Sequence, residues 1–219
     1  MGALPAMSCS FDLGHYRELL EAATAGGYRF ARFGEGPEPR DLFLRHDVDL
    51  SLAAAVEMAE LEAELGVATT YLLMTESVFY NLASPEGVAT IARLRELGHV
   101  VGLHAAYPNV PLDWRFEPVV SWHNPRSEYM SDEIPGAVNT YGPRYLSPET
   151  YRSDSNQHWR AGCPHDELQE GAFPWVQILV HPAIWVYPGK TMGETMLAML
   201  DAERERRLVQ LDADGINLG

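Results

Sequence analysis

Cysteine is scarce in this chain. The 219 residues include two, Cys9 and Cys163, and they form no CxxC pair or other zinc-type spacing. A disulfide scaffold and a cysteine-rich zinc module are therefore not encoded, and two free thiols in a reducing compartment are expected. Long apolar runs are missing too, since nothing approaches the roughly 20 residues that a membrane span requires. Residues 1–10 lack a basic stretch followed by an apolar one, so no export signal is read and a cytoplasmic location is expected. Positive charge is the third shortage: 16 basic residues face 31 acidic ones, for a net charge of -15. Such a surface repels phosphate backbones and anionic lipid, which excludes nucleic acid and membrane as expected partners. Solubility is the ordinary use of the excess charge. Internal repeats and linkers are also lacking, so residues 1–219 are read as one domain.

What the sequence does contain is helices alternating with short apolar strands, the pattern of an α/β protein with parallel strands. A first helix is expected over residues 16–25, ended by Gly26-Gly27. A strand over 41–45 runs into His46-Asp47-Val48-Asp49, and Ser51 caps the helix that follows. A second strand is expected over 67–74, and a helix opens at Ser84-Pro85 and closes at Gly98. Strands over 99–103 and 118–122 deliver His104 and His123. Residues 124–171 are rich in Pro, Ser, Asn and Gly and read as long loops with one or two short strands. A strand over 175–180 ends at His181-Pro182, a helix covers 192–208, and the remainder reads as a tail or a short extra strand.

Four times, a group able to bind metal or move protons sits just past an apolar strand: Asp47/Asp49, His104, His123 and His181. Parallel strands open their C-terminal ends on one face, so these residues are expected to converge. Two carboxylates two positions apart share a face of a regular strand, and one can hold a cation while the other accepts a proton from water. His104 and His123 with one carboxylate make a ligand set that leaves positions open for water and substrate. His181 suits a general acid, and Asp154, in Tyr151-Arg152-Ser153-Asp154-Ser155, is a candidate to orient it or to bind substrate. Arg45, Tyr107, Trp122, Arg152 and Trp159 are candidate substrate contacts, with His158 beside them. Trp114, Trp175 and Trp185 are further aromatic platforms for a sugar ring. His99, His15 and His165 are expected to be structural or surface groups.

The ordered set HDVD, GHVVGLH, SWHNP, YRSDS and LVHP resembles the polysaccharide deacetylase superfamily (NodB homology, carbohydrate esterase family 4), closest to a WbmS-like branch whose first motif is HDVD. The similarity spans residues 11–182. It implies a distorted, partly eroded (β/α)7-type barrel and hydrolysis of an N-acyl group, acetyl first among them, from a small amino sugar or sugar-like metabolite. By position Asp47 resembles the base, Asp49 the metal aspartate, His104 the first metal histidine and His181 the acid. The second histidine of the usual HxxxH motif is replaced by Pro108, and His123 is read as the substitute ligand. The stretch from His104 to His123 is too short for the usual helix, so one barrel unit is expected to be eroded. Zinc is the expected ion, and a homo-oligomer is compatible with this reading. The alternatives are hydrolysis of another C–N bond, in a nucleoside or secondary metabolite, and a non-catalytic carbohydrate-binding relative.

Overall fold

The computed structural model describes residues 9–108, 111–113 and 115–216, and Trp114 lies outside them. Helix α1 (Leu13–Ala25) is capped by Asp12, whose Oδ1 accepts the His15 N–H at 2.9 Å. Strands β1 (Arg29–Phe30) and β2 (Asp41–Val48) follow, then α2 (Leu52–Glu64), β3 (Thr70–Leu73), α3 (Pro85–Glu96), β4 (Val100–Ala105) and β5 (Val119–Trp122). The chain continues through β6 (Val138–Asn139), β7 (Tyr151–Ser153), α4 (His165–Gln169), β8 (Val176–Val180), α5 (Pro182–Val186) and α6 (Met192–Ala213). The strands run parallel in the order β6-β5-β4-β3-β2-β8-β7, with β1 paired to the start of β2, and the sheet curls into a half-barrel. The expected α/β architecture is thus present.

Strand period fixes which side chains enter the curl. On β2, Leu42 and Leu44 pack outward with Tyr16, Leu19 and Leu20 of α1, and Val48 packs outward with Leu52 and Ala55 of α2. Phe43, Arg45 and Asp47 alternate with them and point inward. Phe43 meets Leu72, Val100, Val119 and Tyr145 in an inner core. Above that layer the interior turns polar. Gln177 of β8 donates to the carbonyls of Thr140 and Tyr145 at 3.1 and 2.7 Å. The Arg45 guanidinium lies 4.2 Å over the Tyr141 ring and bonds to Thr140. These contacts tie the residues after β6 across to β2 and β8, which keeps the sheet curled.

Gly102 shows how close the strands come. A Cβ there would lie 2.5 Å from the Val119 carbonyl oxygen and 2.7 Å from a Leu72 methyl, so β4 can hold this place only without a side chain. On the outer face, Glu62 of α2 is fully buried beneath the sheet. It accepts from Thr69 and Tyr71 at 2.8 and 3.0 Å and from Tyr16, and it meets His46 Nε2 at 2.8 Å. His46 therefore serves helix docking, and so does His99, which bonds to the Ala59 carbonyl at 3.1 Å.

Among the described residues no helix separates β4 from β5, as the short spacing implied. An apolar trough of about 300 Å³, lined by Leu103, Leu112, Val120, Trp122 and Tyr129, occupies the outer face there. Several boundaries differ from expectation. Strand β2 runs on through Val48 because β3 pairs with it as far as that residue. Helix α6 reaches Ala213, so the expected tail or extra strand is helical, with Asp214 as its C-cap. Only Thr195 and Met199 of α6 are buried, against α5 and α2, and its second half lies on the surface, held by side chains such as Arg206, which donates to Tyr187 Oη at 3.2 Å. No helix is long and apolar enough to cross a membrane, among the described residues.

Candidate metal centre

The inward column of β2 ends at Asp49, just past the strand. Ser51, not Asp49, caps α2, accepting the Ala54 N–H at 3.2 Å, so the Asp49 carboxylate is left for the interior. The same alternation brings His104 of β4 inward, then Ser121 of β5 and His123 just beyond it, and His181 after β8. Asp49 Oδ1 lies 3.0 Å from His104 Nε2 and 3.2 Å from His123 Nδ1, and the two ring nitrogens are 3.3 Å apart. Three donor atoms from three elements thus enclose one small gap.

The hydrogen bonds around them decide what occupies that gap. Ser121 Oγ donates to Asp47 Oδ1 at 3.0 Å and so has only lone pairs to offer His104 Nδ1, 2.5 Å away. His104 Nδ1 must therefore be the donor, and a neutral His104 turns the lone pair of Nε2 on Asp49. Asp49 Oδ1 is buried and makes no hydrogen bond of acceptable geometry. Electron-rich atoms meeting at such distances need a positive charge between them. The edges of a tetrahedron around a zinc-like ion, with bonds of about 2.0–2.2 Å, are about 3.4 Å long. The spacing found here fits an ion bound by one carboxylate and two imidazoles. Burial pushes the Asp49 pKa up, but the contacts with His104 and His123 and the charge of nearby His181 outweigh it, holding the carboxyl below the usual range.

His181 approaches the other oxygen of the same carboxylate, with Nε2 3.8 Å from Asp49 Oδ2, and lines one cleft with His123. Asp154, fully buried, fixes it: Oδ1 takes Nδ1 at 2.5 Å, and Oδ2 takes the His181 backbone N–H at 2.9 Å and the Trp185 indole N–H at 2.7 Å. Burial lowers the His181 pKa, but the Asp154 charge and hydrogen bond overcome it and raise the group to about 9. A cleft of about 450 Å³ opens over His123, His181 and Asp49, walled by Phe79, Met192 and Met196.

Asp47 is placed differently from what the motif suggested. It does not line this cleft. Its carboxylate sits behind His104, held by Ser121 and, at 3.3 Å, by Arg45 Nη2. Arg45 is fully buried beneath Asp47, so it is no substrate contact. Trp122 points outward into the apolar trough, its indole N–H bonded to the Met130 carbonyl at 3.1 Å. Arg152 also points outward, paired with Glu167 at 2.9 Å and stacked on Phe173. Trp159 packs in the outer core with Trp185 and Phe11, Tyr107 is exposed away from the cleft, and His158 is exposed. Trp185 is buried against Asp154, and Trp175 packs edge-on to Phe43 below the site.

The cleft contains residues that motif reading passed over. Glu76 lines it with Oε2 buried and unpaired, and Asn124 and Asn156 line it as well. A carboxylate in the loop after β3 had a usable signal, since that position is also a strand end, but no recognisable motif surrounds it. No known protein family, curated protein or solved structure matches the chain.

Proposed function

We propose that the chain is a metal-dependent hydrolase working at the mouth of an α/β half-barrel. More narrowly, it is a deacylase of the polysaccharide-deacetylase type that removes an acetyl or similar group from nitrogen on a small amino sugar or related metabolite. The observation that carries this reading is the meeting of two devices at one carboxylate in one cleft: the Asp49–His104–His123 donor set, and a histidine locked by a buried aspartate. A binding module has no use for both.

A divalent cation, zinc by the donor types, supplies polarisation of a carbonyl and acidification of water when bound. The chain's own residues do the rest. Asp49, His104 and His123 hold the ion, and Asp47 keeps His104 in its ligating tautomer through Ser121. Asp154 keeps Nδ1 of His181 as a donor, so the proton delivered to the leaving nitrogen comes from Nε2. Asp47 does not line the cleft and Asp49 belongs to the donor set, so the carboxylate left to accept a proton there is Glu76. Phe79, Met192 and Met196 give an apolar wall for a ring, and a cleft of about 450 Å³ suits a small ligand more than a polymer.

The test is to strip the protein of metal, reload it with zinc and measure acetate release from N-acetylated amino sugars, with acylated nucleosides alongside. Release that disappears in His181→Ala while zinc stays bound is the expected result. Zinc bound at the donor set with no product from any compound would overturn the hydrolase reading.

A further inference from the structure

The two cysteines, more than 150 positions apart in sequence, meet in space. Cys9 precedes α1, His15 lies in its first turns, and Cys163 precedes α4. Their ligand atoms all lie within 4.8 Å of one another, with His15 Nε2 3.2 Å from Cys163 Sγ. The cluster lies on the outer face of the sheet, on the far side of Trp185 from His181.

We propose that Cys9, His15 and Cys163 form a second cation site, for zinc or another thiophilic divalent ion, with one position left to solvent. Two observations beyond the clustering support it. His15 is almost fully buried, and its far nitrogen, Nδ1, is held by Glu18 Oε2 at 2.8 Å. That is the arrangement in which a carboxylate orients a ligating imidazole and raises its basicity. Trp159 is buried with its indole N–H lacking an acceptor, and Cys9 packs against the core that contains it. A metal-bound thiolate at Cys9 would offer that donor a charged acceptor in its neighbourhood, which a neutral thiol does not. Two thiolates and one imidazole suit zinc and its thiophilic relatives over the hard cations. The ion would pin the segment before α1 to the loop before α4.

Cobalt(II) provides the test. Full-length protein is purified under reducing conditions, stripped and loaded with cobalt(II). Thiolate-to-cobalt charge-transfer absorption in the near ultraviolet is expected in the wild type. It should persist in His104→Ala, which loses only the ion inside the half-barrel, and vanish in Cys163→Ser. Zinc content should fall from about two ions per chain to about one in either variant. The wild-type spectrum needs no mutant, so a misfolded Cys163→Ser protein leaves the proposal open to refutation. A cobalt-loaded wild type without the thiolate band overturns it. So do thiols that react with a disulfide reagent at the same rate with and without zinc, and a Cys9–Cys163 disulfide in protein kept reduced.

Discussion

At the scale of single residues, His181 and Asp154 give the sharpest expectation. His181 is raised to about 9, so in the metal-free protein its contribution to stability is complete below about pH 6.5 and is lost as pH rises through about 9. A general acid must carry its proton, so activity should fall on the alkaline side. Asp154→Asn removes the charge that raises the group, and the alkaline limb of kcat/KM should move to lower pH. An unmoved limb would show that another group sets it. Asp47 and Glu76 are separable in the same way. Asp47→Asn should weaken zinc binding about 10–100-fold and recover much of its kcat at saturating zinc. Glu76→Gln should keep its zinc and lose about 100–10,000-fold in kcat. Metal titration alongside kinetics distinguishes the two, and the reverse pattern would return the base role to Asp47. The convergence of Asp49, His104, His123 and His181 was legible from position alone, because each follows an apolar run whose end the sheet must present on one face, whereas Asp154 stood out only within a compact polar cluster in the loop-rich segment. Arg152 and Trp122 were misplaced because the alternation within a strand turns them outward, Arg45 because it points inward but is buried beneath Asp47, and Trp159 because it packs into the outer core beyond β7. Composition carries no trace of that choice for a long amphipathic side chain.

At the scale of elements, caps and strand cores were readable because their causes are local. Ser51 and Ser84 each accept an N–H three residues on, and Pro85 needs no hydrogen-bond partner at its position. The edge strands were not readable. β6 and β7 are two and three residues long, and β1 has two, so their pairing is imposed by the neighbouring strand and not by any run of their own. The extent of α6 was misjudged because its second half buries little and so lacks the period that marks a docked helix. Gly102 is the element-scale test. Gly102→Ala should cost about 1–3 kcal/mol by overpacking against Val119 and Leu72, read as a lowered urea midpoint. It should also disturb His104 two residues on, so zinc affinity should fall with stability. An unchanged midpoint would mean that β4 and β5 can separate at no cost.

At the scale of the whole molecule, the donor set joins β2, β4 and the turn after β5, and His181 adds β8. A bound ion therefore links strands across most of the sheet and should stabilise the fold as a ligand of the native state alone. With free zinc at 100 times its dissociation constant the gain is about 2.7 kcal/mol, which calorimetry should report as a Tm that drops on chelation. A chelator-insensitive Tm would argue that no ion binds the native state. The open shape has a further consequence. A curled sheet that does not close leaves two free rims, and exposed rims invite neighbouring chains to add strands. Among the described residues the rims at the two ends of the strand order are Val138–Asn139 and Tyr151–Ser153. An intruding backbone could form only a bond or two at either, so the fold keeps an open mouth for a small molecule while offering almost nothing on which a fibre could grow.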